Sequence, residues 1–83
     1  MIMHYVYIIK SINFPEKIYV GYSLNVEERL KKHNEGGSEY TKDYFPWKLV
    51  YFSAFIDKSL ALDFEKYLKL HSGRAFTQKR LIS

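Results

Sequence analysis

The segment formed by residues 18–34 constrains the fold of this chain more than any other, because a strand pattern passes through a glycine into a helix pattern. Asn25 is a favourable N-cap, and Glu28 follows three residues later, where the partner in a capping box is found. The segment therefore predicts a strand that ends near Gly21 and a helix that begins at Val26.

The predicted helix has one face that is half apolar and half basic. Val26 and Leu30 lie on this face at i and i+4, and Arg29 and His33 share it at i+3 and i+7. An arginine and a histidine on the face that points inward indicate that the helix borders a polar pocket as well as a core.

Segments rich in β-branched and aromatic residues predict three strands, at residues 4–11, 17–21 and 47–55. The first two strands are close enough in sequence to pair as an antiparallel hairpin. In the third strand, strict alternation places Tyr51 on the same face as Trp47.

A second helix is predicted after the third strand, with Asp57 as its N-cap and its end near Leu70. Its apolar stripe consists of Leu60, Ala61, Phe64 and Leu68. A short terminal helix follows within residues 73–82. We therefore expect an α+β fold, a small three-stranded antiparallel sheet flanked by helices in the order ββαβα plus a short C-terminal helix, in a single domain that comprises residues 1–83.

The composition restricts the class of protein. The absence of cysteine excludes disulfides and thiolate zinc sites. No apolar run approaches the ~18 residues of a membrane span, and the N-terminus has no signal-peptide pattern, so we expect a cytoplasmic protein without a membrane partner. The net charge of +4 favours a polyanionic partner such as nucleic acid.

Glu65 is the best single candidate for a metal ligand, because several of its neighbours on the helix are apolar and an unpaired carboxylate among them would be costly. If the polyanionic partner is a nucleic acid that the protein cleaves, hydrolysis of a phosphodiester requires an activated water and stabilisation of charge on the phosphoryl oxygens. One carboxylate can hold a hard cation such as Mg²⁺, while water and a substrate phosphate complete the coordination. The alternative, which periodicity alone favours, is a structural carboxylate that reaches solvent and pairs with Lys58 or Lys69 on the same helix.

The other candidate catalytic residues each have a structural alternative. The planar guanidinium of Arg29 suits a phosphate oxygen, but it suits a neighbouring carboxylate equally. His33 can transfer a proton or contact phosphate, or it can be a hydrogen-bonded structural residue. Tyr7 and Tyr19 can direct their hydroxyls to one place if the first two strands are neighbours, or they can fill an aromatic core.

Substrate binding would use basic and aromatic residues outside this set, each of which is also an ordinary solvated side chain. These residues are Lys31, Lys32, Tyr40, Lys42, Arg74, Lys79 and Arg80. Phosphate contacts and base stacking of this kind predict binding that is weak, strongly salt-dependent and largely independent of sequence.

The joint order of these residues resembles the GIY-YIG nuclease domain family. Residues 5–7 (Tyr-Val-Tyr) and, after eleven residues, residues 19–21 (Tyr-Val-Gly) resemble the two tripeptides that name the family. Arg29, His33 and Glu65 follow at spacings similar to those of the family, and the resemblance covers nearly the whole chain.

Residues 37–41 and 72–76 are similar to short stand-alone bacterial members of the family. The resemblance implies a metal-dependent endonuclease acting on nucleic acid, with DNA as the expected substrate and Mg²⁺, or another divalent cation such as Mn²⁺, at Glu65. It also implies that Tyr19 or Tyr7 acts as the general base or orients the attacking water; of the two, we favour Tyr19 as the base and Tyr7 as the orienting residue. Two alternatives remain: a nucleic-acid-binding domain of the same fold with negligible turnover, and a small basic partner protein whose site is idle. The sequence leaves the oligomeric state open.

Overall fold

The computed structural model describes residues 1–82 of the chain. Its elements are β1 (His4–Ser11), β2 (Ile18–Ser23), α1 (Val26–Asn34), β3 (Trp47–Phe55), α2 (Lys58–Lys69), α3 (His71–Phe76) and a π-helical turn (Thr77–Leu81). This order confirms the predicted ββαβα arrangement with a short C-terminal helix. No helix within residues 1–82 is both long enough and apolar enough to cross a lipid bilayer.

The three strands form one antiparallel sheet in the order β2-β1-β3, so β1 is the central strand. Alternate side chains of β1 point to opposite faces and create two core layers. Val6 and Ile8 pack against Ala61 and Leu68 of α2. On the other face, Tyr7 and Ile9 pack against Trp47 and against two residues of α1, Val26 and Leu30.

The centre of β1 is the best-buried part of the molecule. Four consecutive side chains, Val6, Tyr7, Ile8 and Ile9, are completely inaccessible to solvent. Burial of each aliphatic side chain contributes about 1.5–3 kcal/mol to the free energy of unfolding. The sheet therefore holds Tyr7 rigidly, although Tyr7 is one of the predicted catalytic residues.

Both long helices begin where the sequence predicts. The Asn25 Oδ1 accepts a hydrogen bond from the backbone N–H of Glu28 at 3.1 Å, and the Asp57 Oδ1 accepts one from Ser59 at 2.8 Å. The Glu28 carboxylate accepts from the Asn25 side chain rather than from its backbone N–H, which donates to Ser23 Oγ. Each N-cap contributes about 1 kcal/mol, which fixes the start of α1 beside the end of β2.

Two local predictions are wrong. Strict alternation in β3 ends at Leu49, because Leu49 and Tyr51 pair with adjacent residues of β1 and Val50 is bulged between them. The bulge moves Tyr51 away from the face of Trp47 to the face covered by α2. In α2, Leu60 does not belong to the buried stripe, since its side chain is 58% exposed.

Candidate active site

The predicted catalytic residues converge around the phenol of Tyr7. Tyr7 lies in β1 and Tyr19 in β2, and their ring centroids are 6.4 Å apart. His33 from α1 has its ring centroid 5.0 Å from that of Tyr19 and 6.0 Å from that of Tyr7. The charges of Arg29 and Glu65 both act on the Tyr7 phenol. The fold thus brings together groups from β1, β2, α1 and α2.

A chain of buried hydrogen bonds fixes Tyr7 and His33. The Tyr7 hydroxyl lies 2.8 Å from His33 Nε2, and His33 Nδ1 lies 2.7 Å from Thr41 Oγ1. Tyr7 and Thr41 are fully buried, and His33 is 2% exposed. Because an unpaired polar group at such a position costs about 1–3 kcal/mol, these reciprocal contacts hold the imidazole in one orientation.

Burial keeps this hydrogen-bonded chain neutral. Burial raises the pKa of the Tyr7 phenol above its ordinary value of 10.0; Tyr19 raises the pKa further, and the Arg29 guanidinium opposes the shift. Burial, followed by the charge of Arg29, lowers the pKa of His33 below 6.5. At neutral pH Tyr7 therefore retains its proton, and His33 has one N–H to donate along the chain.

We expect the free energy of unfolding to decrease as the pH falls below about 6.5, the pKa of an unperturbed histidine. Because the pKa of His33 is lower in the folded protein, the unfolded state binds more protons between the two pKa values. The stabilisation is complete above the unfolded-state pKa and is lost as the pH falls towards the folded-state pKa. Thermal unfolding by circular dichroism, at pH values from about 5 to about 8, measures this dependence.

A His33→Gln variant should be less stable than the wild type at neutral pH but should lose less stability on acidification. The control is His71→Gln, which makes the same substitution at an exposed histidine in α3. If the unfolding temperature changes with pH equally in the wild type and in His33→Gln, the role assigned to His33 is wrong.

The Glu65 carboxylate is paired with a cationic side chain. Its Oε2 lies 3.1 Å from Lys69 Nζ, and the Glu65 side chain is only 20% exposed. The same ammonium group lies over the Tyr19 ring, 5.6 Å from its centroid. The structural pairing anticipated for Glu65 is therefore present, but beside Tyr19 rather than in bulk solvent.

Glu65 is the part of this site that fits a metal ion. Within residues 1–82, no group of three or more His, Cys, Asp or Glu side chains could hold a metal. Glu65 could therefore supply a single carboxylate ligand, and a cation such as Mg²⁺ would need water and substrate phosphate to complete its coordination. The ion pair with Lys69 demonstrates that positive charge is accommodated next to this carboxylate.

Arg29 is exposed, in contrast to its predicted place on an inward face. It lines a depression with a volume of about 420 Å³, together with Tyr22 and Lys32. Its positive charge nevertheless acts on the buried Tyr7 phenol, where it partly opposes the rise in pKa that burial causes. Arg29 therefore connects the buried phenol with the solvent-accessible surface, where a phosphate can approach.

Tyr19 lines a larger cleft, with a volume of about 510 Å³, on the other side of the site. The cleft also contains Tyr40 and Arg74, two of the residues predicted to bind nucleic acid. Lys32 lies in the depression around Arg29. The remaining predicted residues, which line neither depression, are Lys31, Lys42, Lys79 and Arg80.

Comparison with known proteins establishes the family. The model of the GIY-YIG catalytic domain matches residues 3–80. The chain belongs to the GIY-YIG family. A UPF0213 protein from Clostridium perfringens is 46% identical over 68 residues, which cover 81% of this chain and 71% of that protein. A UPF0213 protein from Haloquadratum walsbyi is 40% identical over 70 residues, which cover 83% of this chain and 76% of that protein.

A solved structure supports the same relationship. The solution NMR structure of a UPF0213 protein from Bacillus halodurans has 37% sequence identity and a TM-score of 0.56 to this chain. The match covers 93% of this chain and 81% of that one. The predicted α+β fold of the GIY-YIG type is thereby confirmed.

The glycine of the second GIY-YIG tripeptide, Gly21, has a packing role in this chain. Gly21 lies opposite Tyr7 in the β1–β2 register. A methyl group at Gly21 would overlap the phenolic end of the Tyr7 ring and would lie 2.8 Å from its Cε1 atom. The absence of a side chain at Gly21 therefore allows the Tyr7 hydroxyl to reach His33.

Sequence reasoning missed the residues that position His33 in this GIY-YIG site. Thr41, the partner of His33 Nδ1, accepts a hydrogen bond at its carbonyl from Trp47 Nε1 at 2.9 Å. Asn34 holds the backbone of Trp47 from both sides, accepting from its N–H and donating to its carbonyl. Thr41 lies in an irregular loop, where no periodicity marks a residue as buried; the similarity of residues 37–41 to stand-alone family members was the available signal.

Proposed function

We propose that this chain is a metal-dependent endonuclease that hydrolyses phosphodiester bonds in DNA. Membership of the GIY-YIG family indicates a nuclease that acts on nucleic acid. The observation that carries the more specific proposal is the convergence of two phenols, an imidazole, a guanidinium and a carboxylate at the edge of β2. A cytoplasmic location stays a prediction.

Arg29 is the proposed phosphate ligand. Its side chain is exposed and lines a depression with Lys32, so two cationic groups are available to the phosphodiester. Because the guanidinium also approaches the Tyr7 phenol, a phosphate held there would lie next to the two tyrosines. A preorganised donor of this kind typically contributes about 100- to 1,000-fold to the rate.

The two tyrosines have different environments and therefore different proposed roles. Tyr7 is fully buried and its pKa is raised, so it keeps its proton and orients groups through hydrogen bonds. Tyr19 is partly exposed and lines the cleft, where water has access. We assign Tyr19 to the attacking water: in its deprotonated form, the phenolate oxygen accepts the water proton while the water oxygen bonds to phosphorus. The bond from phosphorus to the leaving oxygen breaks, and the leaving alkoxide takes a proton from solvent.

Glu65 is the residue that would hold Mg²⁺ or Mn²⁺. A bound divalent cation would neutralise the negative charge that develops on the phosphoryl oxygens. For this role Lys69 must release the carboxylate, with which it now forms an ion pair at 3.1 Å. Its ammonium group already lies over the Tyr19 ring, so it would stay close to the incoming phosphate.

The ion pair between Glu65 and Lys69 also favours a second candidate function, the binding of nucleic acid without cleavage. If Lys69 keeps the carboxylate occupied, Arg29, Lys32 and Arg74 still present positive charge to a phosphate backbone. Such a protein would bind nucleic acid with the same salt dependence but would not require a metal ion.

Nicking of supercoiled plasmid distinguishes the two functions. The wild type should produce open-circular DNA with Mg²⁺ or Mn²⁺ and none with excess chelator. Arg29→Gln should reduce the rate about 100-fold, because one donor to the phosphoryl oxygens is lost. Lys48→Gln is the control, since it removes the same charge from an exposed position on β3, at the opposite edge of the sheet. Retained DNA binding without nicking under either metal would overturn the nuclease proposal and support the binding module.

A further inference from the structure

We propose that the cleft beside Tyr19 binds an unpaired nucleotide of the substrate strand, with its base against Tyr40 and its phosphate near Arg74. This inference rests on the proposed nuclease function and specifies its substrate class. The preferred substrate would be a nucleic acid in which the nucleotide next to the cleaved bond is single-stranded.

Tyr40 is the proposed stacking platform because it presents aromatic surface to the cleft. Its side chain is 52% exposed, although it contacts two other rings. The ring centroids of Tyr40 and Tyr19 are 5.6 Å apart with an interplanar angle of 34°. The ring centroid of Tyr44 is 6.4 Å from that of Tyr40. Exposed rings supported by neighbouring rings are suited to stacking, which every base can provide regardless of sequence.

The charges of the cleft complement a nucleotide phosphate. Lys17, Lys69 and Arg74 line it, and Glu16 is the carboxylate in the same lining. Two of these cations are held on aromatic rings: Lys17 Nζ is 5.1 Å from the centroid of Tyr44, and Lys69 Nζ is 5.6 Å from that of Tyr19. The combination of aromatic rings and cations is characteristic of grooves that bind single-stranded nucleic acid.

The size and position of the cleft agree with one nucleotide. Its volume of about 510 Å³ falls within the usual range for small-ligand sites. Tyr19 belongs both to this cleft and to the proposed catalytic centre, so a nucleotide bound here would be next to the reacting phosphate. A base in an intact duplex would have to leave its stack to reach Tyr40, whereas an unpaired base would not.

Binding of labelled oligonucleotides to a Glu65→Gln variant of the full chain tests the inference without cleavage. Fluorescence anisotropy would compare fluorescein-labelled single-stranded DNA of about 12 nucleotides, RNA of the same sequence and the matching DNA duplex, all at one low salt concentration. We expect at least one single strand to bind about 10-fold more tightly than the duplex. The tighter of the two single strands identifies whether the cleft prefers deoxyribose or ribose.

Substitution of Tyr40 tests whether the cleft is responsible for the preference for single strands over the duplex. Tyr40→Ala should weaken single-strand binding about 10-fold and leave duplex binding unchanged, while Tyr40→Phe should retain the preference. The matched control is Phe52→Ala, which removes an aromatic ring that is 54% exposed on β3, at the opposite edge of the sheet from β2, and that does not line the cleft.

Two results would overturn the inference: equal affinities for single strands and duplex, or single-strand affinity unaffected by Tyr40→Ala. These outcomes are separate from failure of the nuclease proposal, because binding is measured without turnover. Plasmid nicking with no dependence of binding on Tyr40 would refute the nucleotide cleft alone. Binding that depends on Tyr40, with no nicking by the wild type, would refute the nuclease alone.

Discussion

Replacement of Glu65 by glutamine is expected to lower the rate of metal-dependent nicking about 1,000-fold, because loss of the cation costs about 4 kcal/mol of transition-state stabilisation. Glutamine has nearly the same shape as glutamate but lacks the negative charge that holds a hard cation. The measurement is the rate of conversion of supercoiled plasmid at saturating Mg²⁺, with wild type and variant at equal concentrations.

The matched control for this substitution is Asp63→Asn, which removes one negative charge from an exposed position of the same helix. It should nick plasmid at the wild-type rate. Glu65→Gln should unfold within a few degrees of the wild type, because an i,i+4 ion pair with Lys69 contributes only about 0.3–0.5 kcal/mol. Equal nicking by Glu65→Gln and wild type would contradict the assignment of Glu65 as a metal ligand.

Replacement of Gly73 by alanine is expected to destabilise the fold by about 3 kcal/mol, the upper end of the usual cost of overpacking. Gly73 is buried where α3 packs against the last turn of α2. A Cβ atom there would overlap the carbonyl oxygen of Tyr67 and lie 2.7 Å from the Cα atom of Leu68. Both are backbone atoms and cannot rotate away, so α3 would have to separate from α2.

Thermal unfolding measures this effect as a decrease in Tm of more than about 10 °C for a domain of this size. The control is Ser72→Ala, because Ser72 is exposed in the same helix and its replacement should change stability by less than about 0.5 kcal/mol. In an uncrowded helix, glycine to alanine would raise stability by about 1 kcal/mol. An increase in Tm for Gly73→Ala would therefore show that the close approach of α3 to α2 is absent in solution.

The parts of the fold that follow from local chemistry could be predicted from the sequence. The N-caps Asn25 and Asp57 were identified because a side-chain oxygen that precedes a helical pattern satisfies a nearby backbone N–H. The two faces of β1 were identified because strand side chains alternate and both faces are apolar. These interactions span few residues, so the order of residues contains the necessary information.

The remaining features depend on contacts between distant segments. The bulge at Val50 results from the pairing of β3 with β1, and a single extra residue reverses the faces that follow it. The burial of Thr41 depends on His33 and Trp47, which are supplied by other elements. Arg29 lies on the face of α1 that the sequence predicts to point inward, but this part of the face borders a depression that is open to solvent. Arg29 is therefore exposed.

The order of the elements along the chain determines when the site can form during synthesis. β1 is made before β2, β3 and α2, and its second edge stays unpaired until β3 has been made. One face of β1 stays uncovered until α2, which also carries Glu65, has been made. A nascent chain that ends before α2 therefore contains the phenols, the imidazole and the guanidinium without the carboxylate. If Glu65 is required for cleavage, as proposed, a chain would have no nuclease activity until α2 has been translated, and a chain interrupted before α2 would not cleave nucleic acid.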